Sequence, residues 1–352
     1  MTGVETIELK SDYAISRIIR GGWQLAGGHG PVDRAAAVDD LIAAFDAGIF
    51  TFDCADIYTG VEELYGAMRA RLRETRGEAA AARLKVHTKL VPDLAILPGI
   101  ARDDVEAIVD TSLRRLRVEA LDVVQFHWWD YAQPRWLETL HWLDAMRVQG
   151  KIRHLGATNF DTPHVAAIID AGIPLASLQV QYSLIDHRPE NGLAALCRRQ
   201  GVALLCYGSV AGGFLSDRWI GAPEPTAALE NRSLVKYKLI IDDFGDWSLF
   251  QKLLATLRRV ASRHATDIAT IASRAALDQP GVAAVIVGAR TRAHLAANVA
   301  ISRLKLSPED HAEIASVVMR RTGPSGDVYE LERDRTSRHG SIMKYNLNAE
   351  VS

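Results

Sequence analysis

Apolar and polar positions along this chain fall into short runs that switch between two periods. Continuous apolar runs bounded by turn residues read as buried strands, and apolar residues three and four apart read as helices with one packed face. The strand-like runs are 15–22, 48–52, 85–89, 121–127, 152–158, 175–181, 202–207 and 282–287. Helical patterns follow them at 31–47, 62–73, 103–116, 134–148, 162–171, 189–199, 249–262 with 266–277, and 292–301. Gly48 stands where a C-capping glycine would close the first helix, which Pro31 would open. The segment before residue 15 is placed to form a short hairpin with it. Segment 208–247 breaks the rhythm as a long loop after strand 7, and 302–352 reads as a C-terminal helix and a polar tail.

Strand and helix alternating eight times imply a parallel sheet with helices outside. Right-handed crossovers leave a closed barrel or an open doubly wound sheet. Eight units in about 300 residues favour a (β/α)8 TIM barrel, whose active sites lie at the C-terminal ends of the strands. The expectation is α/β, a single domain over 1–352 with its core at 15–301.

Composition narrows the setting. The 352 residues are 48% hydrophobic and 24% charged, with 41 basic against 43 acidic side chains and a net charge of −2. That balance gives no pull toward nucleic acid or an anionic membrane. No apolar run reaches the roughly 18 residues of a membrane span, and the acidic N-terminus lacks an apolar signal core. Three cysteines, Cys54, Cys197 and Cys206, without metal spacing fit a reduced, cytoplasmic setting.

Three consecutive strand ends carry chemistry. The run 48–52 breaks at Asp53, with Tyr58 five residues on; the next run ends on Lys89, and the third on His127. Parallel neighbours would bring these four to one rim. A free phenol, with a pKa near 10, is a poor proton donor at pH 7. An ammonium beside it stabilises the phenolate and lowers that value, and a buried aspartate keeps the ammonium charged. A histidine nearby orients a carbonyl oxygen by hydrogen bonding. The set is a general acid–base device aimed at an oxygen whose charge changes. None of the four supplies a hydride, so redox chemistry at a carbonyl or alcohol requires a bound cofactor. Taken singly, each residue has a bland reading as a cap, a solvated lysine or a core tyrosine.

The segments Phe52-Asp53-Cys54-Ala55-Asp56-Ile57-Tyr58, Thr88-Lys89, Gln125-Phe126-His127, Gly150 through Phe160, Gln179-Val180-Gln181-Tyr182-Ser183 and Val285 through Arg290 occur in that order. Together they resemble the aldo-keto reductases over about residues 15–301. The resemblance implies a barrel that binds NADP(H), with NAD(H) possible, in an extended form, and no G-x-G-x-x-G lies between a strand and a helix here. It implies Tyr58 as general acid, Lys89 and Asp53 as its tuning pair, and His127 as the carbonyl-orienting group. It places Thr158, Asn159 and Gln181 on the nicotinamide carboxamide, Tyr207 against the ring, and Gly22 and Trp23 near it. Gly288, Arg290, His294 and Asn298 fall at the adenosine-phosphate end, where a helix start favours an anion. Gly208-Ser209-Val210 replaces a common Ser-Pro-Leu. His294 and Ala297 also depart from the usual pattern, leaving NADP over NAD as a lean.

Trp23, Trp128 and Trp129 are the expected substrate wall, with the 208–247 loop and the tail as cover. Trp219, Tyr237 and Trp247 in that loop read as pocket wall or as loop core. The partner is a small carbonyl or alcohol compound, whose identity, like the oligomeric state, is not written in the sequence. A regulatory subunit resembling the potassium-channel beta subunits is the alternative. A metal-dependent hydrolase using Asp53, Asp56, His127 and Asp130 ranks third, since His141 and His154 fall elsewhere in the pattern.

Overall fold

The computed structural model describes residues 3–27, 30–288 and 291–348. Two strands, β1 (Thr6–Lys10) and β2 (Tyr13–Ser16), form an antiparallel hairpin. Then β3 (Ile18–Gly21), β4 (Thr51–Asp53), β5 (Lys85–Leu90), β6 (Leu121–Phe126), β7 (Ile152–Thr158), β8 (Leu175–Gln181), β9 (Ala203–Tyr207) and β10 (Val282–Gly288) close into a barrel, β10 pairing with β3. All of its neighbours are parallel. This is the expected (β/α)8 barrel.

The apolar run 15–22 does not form one strand. It divides at Arg17, whose guanidinium donates to the carbonyls of Leu277, Val282 and Ala283. Residues before the break join the hairpin and those after it join the barrel. Tyr13 and Leu9 of the hairpin share a buried cluster with barrel residues Ile19, Val123, Leu205 and Ala284, so the hairpin stops the end of the barrel remote from the strand C-termini. The first helix, Arg34–Asp46, starts later than Pro31 because Asp33 caps it, accepting from the Ala35 and Ala36 amides. Gly48 does follow its end, at φ +98°.

The 208–247 segment contains a helix of its own, Arg232–Phe244. With Trp247–Arg263 it builds a second hydrophobic cluster around Phe214, Ile241, Phe244, Phe250 and Leu253. Trp219 and Trp247 pack there as loop core, with ring centroids 6.1 Å apart. After the helix Pro308–Val318 the polar tail is ordered. It crosses the strand C-termini, forms the short helix Glu330–Arg333, and reaches the loop after β5, where Leu94 donates to the Tyr345 carbonyl at 2.8 Å.

Candidate active site

Adjacent strands in register bring the C-terminal residues of β4, β5 and β6 to one rim. Lys89 Nζ donates to Asp53 Oδ2 at 2.6 Å and to the Cys54 carbonyl at 2.9 Å. It lies 5.0 Å from the centroid of the Tyr58 ring. Burial works against the ammonium, but Asp53 and then Tyr58 outweigh it, so the Lys89 pKa is raised. The Tyr58 phenol departs from expectation. Burial pushes its pKa up, and the Lys89 ammonium only partly offsets that. The phenol therefore stays protonated through neutral pH, as a donor must.

Two glutamines complete this arrangement. Gln125 Nε2 and Gln179 Nε2 donate to Asp53 Oδ1 at 2.9 and 2.6 Å, and Gln179 Nε2 also meets Gln125 Oε1 at 2.8 Å. Asp53, Gln125 and Gln179 come from β4, β6 and β8, alternate strands that share one layer of the barrel interior. Both glutamines stand in the motifs quoted above. Two polar residues in largely apolar strands are the sequence signal for such a buried partner.

His127 Nδ1 donates to the Thr158 carbonyl at 3.2 Å. Burial drives its pKa down to about 3, so the ring is neutral and Nε2 carries a lone pair. Nε2 is thus an acceptor for a ligand hydroxyl, where the sequence suggested a donor to a carbonyl.

A cleft of about 620 Å³ opens at this rim. Asp53, Tyr58, Lys89 and His127 line one end, with Trp23, Trp129, Thr158, Asn159 and Tyr207. Gly288, His294 and Asn298 line the other end. Arg290 lies outside the described residues. Trp23 packs on Tyr58 with ring centroids 5.1 Å apart, and Tyr207 donates to Asn159 Oδ1 at 2.9 Å. Asn159 itself holds φ +62°, an uncommon backbone state outside glycine.

Three expected residues sit off the cleft. Trp128 is wholly buried; its Nε1 donates to the carbonyls of Asp130 and Gln133, because alternation sends the residue after His127 toward the helices. Gly22 is a packing glycine: a Cβ there would lie 2.6 Å from Val61 Cγ1 and 2.8 Å from the Tyr65 hydroxyl. Its neighbours Gly21 and Gln24 face the cleft instead. Gln181 is buried just behind it, donating to Asp186 Oδ2 at 2.6 Å while its Oε1 has no partner.

Loop and tail supply the roof. Tyr237 and Lys236 come from the 232–244 helix, and Tyr329, Met343 and Leu347 from the tail. Arg188 fixes the tail, meeting both Asp186 and both oxygens of Glu332, at 2.7 and 3.0 Å for the latter, with all three side chains buried. Burial alone would raise the Glu332 pKa, but Arg188 holds it down at about 2. Arg333 donates to the carbonyls of Trp128, Trp129 and Asn159.

The carboxylates of the metal reading are committed elsewhere. Asp53 holds Lys89 and the glutamines, Asp56 accepts from the Ile57 and Val91 amides, and Asp130 accepts from Ala132. Among the described residues no group of three or more His, Cys, Asp or Glu is placed to hold a metal ion.

Comparison with known proteins matches residues 17–319 to a model described as the Aldo/keto reductase family. The NADH-specific methylglyoxal reductase of Escherichia coli (strain K12) is 26% identical over 318 residues, 85% of this chain and 94% of its own length. A thermostable aldo-keto reductase solved with the inhibitor epalrestat superposes with a TM-score of 0.67 at 26% identity, covering 89% of this chain and all of that one. The glycerol dehydrogenase of Gluconobacter oxydans shares the fold, with a TM-score of 0.75 at 24% identity over 91% of this chain and 97% of its own.

Proposed function

The chain belongs to the aldo/keto reductase family, and from that premise we propose an NAD(P)(H)-dependent oxidoreductase in which Tyr58 exchanges a proton with the oxygen of a carbonyl or alcohol substrate. The observation that carries this reading is the buried Asp53–Lys89 pair under the Tyr58 ring at the mouth of the cleft. The cleft fits a nicotinamide dinucleotide on its own chemistry. Gln24 Oε1, His127 Nε2 and Trp129 Nε1, all on cleft-lining residues, are buried polar atoms without partners among the described residues. Such atoms are costly unless a ligand satisfies them. Asn159 and Tyr207 would hold the nicotinamide end, and His294 and Asn298 the adenosine end. When bound, the reduced nicotinamide supplies the hydride.

The chain's own residues do the rest. Tyr58, protonated at neutral pH, donates to the oxygen as negative charge develops on it. Lys89 stabilises the phenolate that remains, and Asp53 keeps Lys89 charged. Once the oxygen has taken the Tyr58 proton, His127 Nε2 accepts from the hydroxyl of the alcohol and holds it at the rim. Trp23, Trp129 and Tyr329 exclude water from the reacting centre. No described helix is long and apolar enough to cross a membrane, and three buried free thiols suit the cytoplasm.

In Tyr58→Phe, turnover of an aldehyde panel should fall by at least about a thousandfold, the upper range for general acid catalysis. NADPH binding, followed by fluorescence quenching, should persist. Full activity in that variant would remove Tyr58 from the role.

A further inference from the structure

Lys236 is a cation on the cleft wall that the chemistry above does not use. It projects from the helix Arg232–Phe244 into a cage of three pocket rings, with Nζ 5.2 Å from the Tyr207 centroid and 5.7 Å from those of Tyr237 and Tyr329. An ammonium carries three N–H donors. Ring faces attract the charge but give these donors no lone pair in line. The nearest carboxylate oxygen is Glu332 Oε1 at 3.8 Å, beyond hydrogen-bond reach, and both Glu332 oxygens already receive Arg188. Among the described residues Lys236 Nζ makes no hydrogen bond, and its side chain keeps 16% exposure at the cleft. A largely buried ammonium in that condition lacks an acceptor that its surroundings would ordinarily provide.

We propose that Lys236 is an oxyanion-binding post, taking a carboxylate or phosphate oxygen of a ligand held in the cleft between Tyr207 and Tyr329. Burial lowers the Lys236 pKa, the direction a bound oxyanion would reverse. Position favours the substrate as its source. Tyr329 stands edge-on to His127, with centroids 5.5 Å apart, and also carries Lys236. The post thus lies about one ring beyond the reacting carbonyl, suiting a carbonyl acid with a short spacer. The cofactor's phosphates are the other source of the same chemistry. The substrate arm rests on the carbonyl-reductase reading.

The test uses the full chain with Lys236→Met and Lys236→Arg. The probes are 4-carboxybenzaldehyde and its methyl ester, close in shape and different in charge, with NADPH affinity measured in parallel. Wild type should prefer the acid in kcat/KM by about tenfold or more, the scale of one charge-assisted hydrogen bond. That ratio should collapse toward unity in Lys236→Met and recover in Lys236→Arg, with NADPH affinity unchanged. If the ratio holds and NADPH binding weakens about tenfold instead, the oxyanion is the cofactor's phosphate and the post stands. If a folded Lys236→Met, checked by circular dichroism and melting, shifts neither quantity, the proposal is wrong. Should wild type turn over no aldehyde, the reductase reading fails. The post is then judged by tryptophan quenching with benzene-1,4-dicarboxylate: binding lost in Lys236→Met supports it, and equal or absent binding in both proteins overturns it.

Discussion

Asp53 shows how much of the site depends on single atoms. One carboxylate oxygen holds Lys89, and the other holds the Gln125 and Gln179 amides. In Gln179→Leu the Oδ1 atom keeps one donor in a buried setting. Losing a hydrogen bond to a charged group costs about 1.5–3 kcal/mol, so kcat should fall roughly tenfold or more. Because Gln179 acts through Asp53, the pH dependence of kcat should move as well, while NADPH affinity stays; a rate profile superposable on wild type would contradict this. Asp56 carries a different consequence. Burial raises its pKa from 3.8 to about 7, against the lowering effect of the Val91 amide. A folded pKa above the unfolded one gives stability that is full below about pH 4 and is lost as pH rises through about 7. Asp56→Asn should flatten the decline of the denaturation midpoint across that window. Parallel slopes for the two proteins would rule it out.

Among the elements, the tail takes the covering place expected of it. Its composition is polar and charged, yet Glu332 and Tyr329 are buried within it. The reason is pairing at long range: Glu332 meets Arg188, 144 positions away in sequence. Removing one member of a buried ion pair typically costs about 3–5 kcal/mol. Glu332→Gln should therefore lower stability by about 3 kcal/mol in urea unfolding and loosen the tail to proteolysis first. An unchanged unfolding midpoint would mean the pair contributes little. The 208–247 segment behaves similarly. It looks irregular until its helix finds the second cluster, which takes Trp219 and Trp247 and leaves Tyr237 to the cleft.

At the scale of the molecule, barrel closure puts strand ends from distant parts of the chain around one cleft running from Tyr58 to Asn298. A ligand that bridges so many elements should stabilise all of them together. At a free concentration of 100 Kd, a nucleotide that binds only the folded state adds about 2.7 kcal/mol. Thermal melts with NADPH and NADH side by side should show an upward shift, larger for the preferred nucleotide. No shift with either would count against a cofactor in this cleft.

Eight continuous apolar runs, each followed by a 3.6-period pattern, determined a parallel α/β fold, and their number favoured the barrel over an open sheet. Chain order then determined that Asp53, Lys89 and His127 end neighbouring strands, so this part of the cluster was legible from sequence. Local pattern also placed Gly48 behind the first helix. Tertiary structure alone decided which side of each strand end faces the cleft. It turned Trp128 toward the helices, buried Gly22 against Val61 and Tyr65, and set Gln125 and Gln179 on Asp53. It also decided the protonation states of Tyr58 and His127, because burial, which neither residue's sequence neighbourhood encodes, outweighs the nearby charges. Periodicity reports the neighbours a residue has along its own element; contacts between elements, and the solvent they exclude, exist only once the barrel closes.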